Sequence, residues 1–387
     1  MMLVSRFPFP LEKGDKLRAY YQLKELAQRF SIHLIALTDQ KITADQIAEL
    51  EPFCTQITVI KRSVLSIVLN VFLTFFSNKP FQIGYFYSFI GQQKINRLLH
   101  EIEPDYIYCQ LIRAAEYVKN YHACPKTLDY MDALSMGIER RIKKAPWYYR
   151  FVFKMESKRL KLYERSVFDY FEVKTIISEQ DKQLILHPDK QKIQVIPNGI
   201  DPHFFEPLEI VSSKELVFVG NLNYPPNIEA VDFIMKELVP KNVAYRYLIA
   251  GANPSPTLVK TISKYPQLSL NGWVEDIRTS YLQGKIFIAP MKIGTGMQNK
   301  LLEAMAVGLP CITTELANNA IHAIHNESIL VANTADEFIT CIERLLNDSE
   351  LYRKIAHNGQ KLVQEKYSWK ITNEHLTHLI QQGISNK

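Results

Sequence analysis

The chain has 387 residues, with 46 Lys and Arg against 40 Asp and Glu for a formal net charge of +6. At about 150 residues per domain, this length predicts two domains, or three. Hydrophobic residues make up 47% and charged residues 22%, which excludes disorder, a collagen-like repeat or a coiled coil as whole-chain readings and predicts packed cores.

In chain order, the opening MMLVSRFPFP lacks a basic leader followed by an apolar core and a small-residue cleavage site. It reads as the start of a buried strand at Met2 to Val4, with no secretory signal. The five cysteines, Cys54, Cys109, Cys124, Cys311 and Cys341, are widely separated and form no zinc-type spacing. They read as buried free thiols of a reducing cytosol. The longest apolar run, 64–76, is short of the ~20 residues that span a bilayer. It is expected to be a buried or interfacial helix of a soluble or peripheral protein.

Short apolar runs at 32–37, 57–60, 106–109, 126–128, 174–177 and 193–196 read as strands. A second series follows at 216–219, 247–250, 286–289, 311–313 and 329–331. Helical patterns lie among them, at 16–29, 91–102, 228–238, 299–306 and 335–346. This alternation predicts an α/β fold of parallel sheets covered by helices on both faces. Two series imply two doubly wound, Rossmann-like domains facing across a cleft. The turn cluster Pro197-Asn198-Gly199-Ile200-Asp201 marks the join, giving domains at 1–196 and 197–368. Ligands of such folds bind at the carboxyl ends of the strands.

Segment 139–165 holds ten Lys and Arg against three Glu. Its net +7 leaves the remainder of the chain at −1. At about 100° per residue, Arg150, Lys161, Lys154, Arg165 and Lys158 share an arc of about 80°, beside a sector holding Phe151, Leu162, Met155 and Tyr148. A basic stripe next to an apolar one is the form of a helix lying on an anionic membrane. A solvated charged face is the plain alternative. Nucleic acid would also use such a stripe but is not the partner expected.

The most informative stretch is 289–314, APMKIGTGMQNKLLEAMAVGLPCITT. A strand ends at Ala289-Pro290 and a glycine loop follows at Gly294-Thr295-Gly296. A helix then begins near Gln298, with Gly308 as its C-cap. Glycines let backbone approach an anion, and a helix start offers free N–H groups with partial positive charge. Lys300 and Glu303 share a helix face. A cation for phosphates and a carboxylate for ribose hydroxyls suit a sugar nucleotide. The plain alternative is a strand–turn–helix unit with a surface ion pair.

This stretch resembles the C-terminal signature of the family 4, or group 1, glycosyltransferases of the GT-B fold. Further matches follow in order: VIPNGID at 195–201, VGNLNYPPN at 219–227, LIAGANP at 248–254 and NGWVEDI at 271–277. The opening RFPFPLEKGDKLRAYYQLKELA, 6–27, looks like the first strand–loop–helix of a bacterial polysaccharide-type branch. The resemblance implies that Glu303 is the second of two glutamates spaced as in the family motif and binds ribose hydroxyls. Thr295 stands where the first would lie beside the transferred sugar. Gly294, Thr295, Gly296, Met297, Gln298 and Asn299 would then meet phosphates and sugar. Many relatives place an Arg and a Lys after the glycine equivalent to Gly220; here Asn221, Leu222 and Asn223 follow. The expectation is that Lys300, the loop amides, and Lys16 or Arg18 supply the charge that a leaving diphosphate needs.

Trp273 and Val274 lie where relatives sandwich the nucleobase, with Asp276 as a helix cap. Gly14 and Lys16 occupy a loop that in relatives touches donor and acceptor, with Asp15 as a helix cap. Asp132, with Ser135, is the candidate where several relatives carry a donor-sugar His. The helix after Tyr367-Ser368-Trp369, at 369–387, looks like the family's return crossover onto the first domain. The implied activity is a retaining, metal-independent transfer of a sugar from a nucleotide diphosphate sugar to a glycan or lipid-linked glycan hydroxyl. No cofactor or metal is expected, since no Asp-x-Asp sequence occurs. The implied place is the cytoplasm, at the inner face of the plasma membrane where it touches lipid. A catalytically silent sugar-nucleotide- or glycan-binding module is the alternative, and an epimerase on the same fold a third.

Overall fold

The computed structural model describes residues 1–144, 146–209, 213–293 and 297–385, with Arg140, Lys143 and Lys144 described by backbone alone. The chain divides into two units, Met1–Asn198 with Thr372–Lys387, and Gly199–Ile371.

In the first unit seven strands form one sheet: β1 (Met2–Val4), β2 (His33–Thr38), β3 (Gln56–Lys61), β4 (Ile107–Gln110), β5 (Lys126–Asp129), β6 (Val173–Ile176) and β7 (Gln194–Val195). Their order is β3-β2-β1-β4-β5-β6-β7, with every pairing parallel. The second unit repeats the plan with β8 (Lys214–Val219), β9 (Tyr247–Ala250), β10 (Leu268–Asn271), β11 (Gly284–Ala289), β12 (Cys311–Thr313) and β13 (Leu330–Val331). Their order is β10-β9-β8-β11-β12-β13, again all parallel. Each sheet reverses direction beside its first strand, at β1/β4 and at β8/β11, which is the switch point where doubly wound folds bind ligands.

Central strands buried on both faces read as unbroken apolar runs, so β2 and β9 lie where the sequence places them, to within a residue. Strand β10 was not expected. Its sequence is Leu-Ser-Leu-Asn, only Leu268 is buried, and it pairs with β9 alone. An edge strand of this kind carries no apolar run. The helix expected at 228–238 begins earlier, as Pro225–Phe233, because proline fits the first helical turn; residues Ile234–Leu238 continue it as a π-turn.

In the first unit, helix Gly14–Leu26 is not capped by Asp15. Lys13 is the cap residue and makes no side-chain cap bond, while Asp15 pairs with Arg6. That helix is anchored by a buried ion pair. Arg18 Nε donates to Asp129 Oδ2 at 2.6 Å, with both side chains fully buried. Arg18 Nη1 also donates to Asn198 Oδ1 at 2.9 Å, and the Thr175 hydroxyl to Asp129 at 3.0 Å. The Tyr108 hydroxyl lies 2.7 Å from Asp129 Oδ2 and 2.8 Å from Gln22 Oε1. One proton cannot serve both acceptors. Turning the Gln22 carboxamide over sets its Nε2, otherwise without a partner, against the Tyr108 oxygen and leaves the hydroxyl proton to Asp129. Tyr108→Phe is therefore expected to lower unfolding free energy by about 1–3 kcal/mol in urea titrations. A change within error would show that the hydroxyl contributes nothing to the network.

Apolar run 64–76 forms helix Val64–Phe75, but it is not buried. Among its side chains only Thr74 is; Val64, Leu65, Val68, Leu69, Phe72, Leu73 and Phe75 are exposed, with Ile67 and Val71 half-buried. No helix of the described chain is long and apolar enough to cross a membrane. Helix Trp147–Val167 carries the basic segment, with Arg150, Lys154, Lys158 and Arg165 exposed; Lys161 pairs with Glu139. The last helix, Trp369–Ser385, ends in the first unit, where a Cβ on Gly383 would stand 2.5 Å from the Tyr106 ring.

Candidate active site

In the second unit, β8 and β9 end in glycines that touch. A Cβ on Gly251 would lie 1.9 Å from the Gly220 carbonyl oxygen, and one on Gly220 would lie 2.6 Å from the Asn227 carboxamide. This bare backbone floors a cavity of about 520 Å³ at the carboxyl ends of the strands. Helix Asn299–Ala306 starts at its wall. Gln298 is the cap residue and gives no side-chain cap bond, so no cap side chain takes the first amides of the helix.

Lys300 enters this cavity from the first turn of the helix. Its Nζ donates to Asn227 Oδ1 at 2.5 Å and Gln298 Oε1 at 3.2 Å, with the Met291 sulfur at 3.7 Å. All three partners are neutral, so among the described residues the ammonium makes no ion pair. Burial lowers its pKa from 10.5 to about 8, against a smaller upward pull from Glu303. Asn227 is held in turn: its Nδ2 donates to the Asn221 carbonyl at 2.9 Å. Glu303, one turn on, accepts from the Tyr281 hydroxyl at 2.7 Å. Burial raises the Glu303 pKa, opposed by that hydrogen bond and by Lys300. Lys300 and Glu303 do share a face, but the surface ion pair of the plain reading does not form. A cation and a carboxylate, each held by neutral groups, face one cavity with unspent charge.

Of the expected site residues, Gly220, Asn221, Trp273, Val274, Met297, Gln298, Asn299, Lys300 and Glu303 line this cavity together. Gly294, Thr295 and Gly296 lie outside the described residues. Trp273 is 75% exposed at the rim. Asn221 spends its Oδ1 on the Asn223 amide at 3.0 Å. Asp276 accepts from the Arg278 amide at 3.0 Å and pairs with the Arg278 guanidinium. The lining residues that were not expected include Asn227 and Tyr281. Asn227 lay inside the quoted VGNLNYPPN match, two residues after the first of two prolines. Tyr281 had no local signal, because its role arises from a contact 22 residues along the chain.

In the first unit, Gly14 and Lys16 lie at the switch point of its sheet, where Gln110 at the end of β4 donates to the Asp15 carbonyl at 3.0 Å. Gly14 is exposed, and a Cβ there would meet nothing within 4 Å. Lys16 is buried, which lowers its pKa. Met131 takes a left-handed φ of 61° on leaving β5, and the exposed Asp132 follows it. Arg113, half-buried and lowered to about pKa 10 by desolvation, lies within the field of Arg6, Asp15 and Asp132. Ser135 is not available beside Asp132: its N–H and Oγ donate to the buried Glu164 at 2.9 and 2.7 Å. Among the described residues no group of three or more His, Cys, Asp or Glu could hold a metal ion.

Known proteins resemble this chain in sequence and in fold. Residues 213–348 match the family model described as Glycosyl transferases group 1. An uncharacterized 44.6 kDa protein in the cps region of Klebsiella pneumoniae is 25% identical, across 94% of this chain and 95% of that one. An Escherichia coli relative, UDP-Gal:alpha-D-GlcNAc-diphosphoundecaprenol alpha-1,3-galactosyltransferase, is 29% identical across 48% of this chain and 54% of its own, so the match spans about half of that protein. Among solved structures, sucrose-phosphate synthase from Thermosynechococcus elongatus aligns with a TM-score of 0.69 at 14% identity, covering 100% of this chain and 99% of its own. HepE from Anabaena, in complex with UDP, aligns at 0.67 and 13%, covering 98% and 99%. These likenesses fix the fold as GT-B. The family match, residues 213–348, falls within the cavity-bearing second unit.

Proposed function

We propose that the chain moves a sugar from a nucleotide diphosphate sugar to a hydroxyl of a glycan or lipid-linked glycan, with retention at the anomeric carbon. The observation that carries this reading is the pairing of Lys300 and Glu303 in one cavity, each with neutral partners and beside a helix start. Lys300 and the amides of the loop and helix meet the diphosphate; Glu303 accepts from the ribose; Trp273 and Val274 border the base. The bond from the anomeric carbon to the diphosphate oxygen breaks as charge builds on the leaving group. The acceptor oxygen attacks the same face, and its proton passes to a leaving phosphate oxygen. Lys300 lowers the barrier by meeting that developing charge, and the scheme routes no step through a metal or cofactor. Lys16, Gly14 and Asp132 are the residues assigned to the acceptor and the transferred sugar.

The acceptor class draws support from the Escherichia coli relative, whose name carries a diphosphoundecaprenol-linked sugar. Helix Trp147–Val167 supports it physically, as its exposed cations suit an anionic membrane surface at the cytoplasmic face. The direct test is release of nucleoside diphosphate from a panel of nucleotide sugars with and without lipid-linked glycan. Saturable binding with no release would instead identify a binding module.

The depressed Lys300 pKa gives this reading a pH signature. The ammonium is the form that meets phosphate, and it is lost as pH rises through about 8. kcat/KM reports the free enzyme, so it is expected to be flat near neutrality and to fall about tenfold per unit well above pH 8. Lys300→Arg keeps its charge and should remove that limb. A limb unmoved by the substitution would assign the titration elsewhere.

A further inference from the structure

Helix Val64–Phe75 is built inside out. Its polar residues face the protein: Asn70 Nδ2 donates to the Tyr87 carbonyl at 2.7 Å, and Thr74 is buried against Gly84, where a Cβ would stand 2.4 Å from Thr74 Cγ2. Most of its apolar residues face out, Ile67 and Val71 being half-buried. Leu65 is 79% exposed and Phe76, just past the helix, 73%, with Val68, Leu69, Phe72 and Leu73 exposed between them. The spacings 65/69/73 and 68/72/76 put these six on one side of the helix. An uncharged face of this kind, so large and so open, is unlike the scattered exposed apolar residues of ordinary surfaces.

The helix is also held in place. Arg159, from the basic helix Trp147–Val167, donates to the carbonyls of Thr74 at 2.8 Å and Phe75 at 3.2 Å, and Ser63 caps the other end. The helix that carries the basic stripe is therefore clamped to the end of the apolar helix. Charge is polarised in the same way. Residues 52–100 contain five Lys and Arg and no Asp or Glu, and 139–165 carries the net +7. Outside these two segments the chain is net acidic. Trp147, Tyr148 and Phe151 stand exposed at the start of the basic helix, and aromatic residues of this kind settle at the lipid–water boundary. At about 1.5 Å per residue the apolar helix is about 18 Å long, too short to span a bilayer and suited to lying in one leaflet.

We infer that helix Val64–Phe75 is a membrane wedge that buries its apolar face in the acyl boundary of an anionic leaflet, beside the basic helix that contacts the headgroups. The wedge rests on the membrane contact proposed above and adds to it a component that salt does not screen. Binding through the basic stripe alone would vanish at high ionic strength; an inserted apolar face would not.

The test is co-sedimentation of the full chain with vesicles of phosphatidylglycerol and phosphatidylcholine, at low salt and at about 0.5 M NaCl. The wild type is expected to pellet at low salt and to keep a substantial bound fraction at high salt. Leu69→Glu/Phe72→Glu should lose at least about fivefold of the bound fraction under both conditions, with circular dichroism and nucleotide-diphosphate binding unchanged. Leu69→Ser is a milder check on folding. Arg150→Ala/Lys154→Ala/Lys158→Ala should lower binding at low salt and leave the salt-resistant fraction. Undiminished binding of the double Glu variant overturns the wedge. So does a wild type that ignores vesicles and is a dimer by size exclusion, with the dimer lost in the double variant, since the face would then be covered by a second copy. Absence of sugar transfer in a chain that still shows the salt-resistant fraction would defeat the catalytic reading and leave the wedge intact.

Discussion

Lys300→Ala is expected to lower kcat by about 10²–10³-fold, the usual cost of removing one preorganised group from developing negative charge. The same substitution should leave stability unchanged or raise it. Burial drives the Lys300 pKa down to about 8, so the folded state disfavours the ammonium relative to the unfolded chain. The sign follows from linkage. Between pH 8 and 10.5 the unfolded chain holds the proton and the folded chain does not, so stability of the wild type rises with pH across that window. Removing the group removes the penalty, offset in part by the loss of a partner for Asn227. Lower turnover with an undiminished urea midpoint is the signature of a residue kept for chemistry. Equal losses of turnover and stability would make Lys300 a packing residue, and near-wild-type turnover in a folded variant would eliminate it as the charge donor.

Glu303→Ala should act on binding rather than on the chemical step. A carboxylate accepting from ribose hydroxyls makes charge-assisted bonds of about 1.5–3 kcal/mol, so kcat/KM for the donor is expected to fall roughly 10²-fold, mostly through KM. The Tyr281 hydroxyl, 2.7 Å from Glu303, loses its acceptor, which adds a modest loss of stability. A second readout separates the ribose role from a structural one. The wild type should discriminate strongly between a nucleoside diphosphate and its 2′,3′-dideoxy form, because a site built to hydrogen-bond hydroxyls rejects ligands without them. The variant should bind the two alike. If it keeps the wild-type preference, the ribose is held by other groups.

The fold was legible wherever burial writes itself into sequence. Strands such as β2 and β9 lie inside their sheets with both faces covered, and composition alone marks them. Edge strand β10 has one buried residue and gave no signal. Helix Val64–Phe75 was legible as a buried or interfacial helix, and the structure turns most of its apolar face outward, which overturns the buried reading. Pattern reports which side chains share a face; only tertiary contacts decide whether protein covers it. Asp15 read as a cap and instead pairs with Arg6, since a carboxylate near a helix start serves either partner.

The candidate site divides in a similar way. Lys300, Glu303, Gly220 and Asn299 were legible because they lie in local motifs whose spacing fixes a common face. Asn227 and Tyr281 were not, because they act through contacts 73 and 22 residues away along the chain. Those two hold the charged pair, so the sequence marked the groups that would meet a donor and missed the groups that orient them.

In the proposed reaction the cavity floored by Gly220 and Gly251 holds the diphosphate and ribose of a sugar nucleotide. Titration calorimetry of the full chain with nucleoside diphosphates tests it most directly, run in parallel on the wild type, Lys300→Ala and Glu303→Ala. Saturable binding with one site per chain is expected for at least one nucleoside diphosphate, weakened in both variants. No binding of any nucleoside diphosphate at millimolar concentration, or binding that both variants leave untouched, would contradict it.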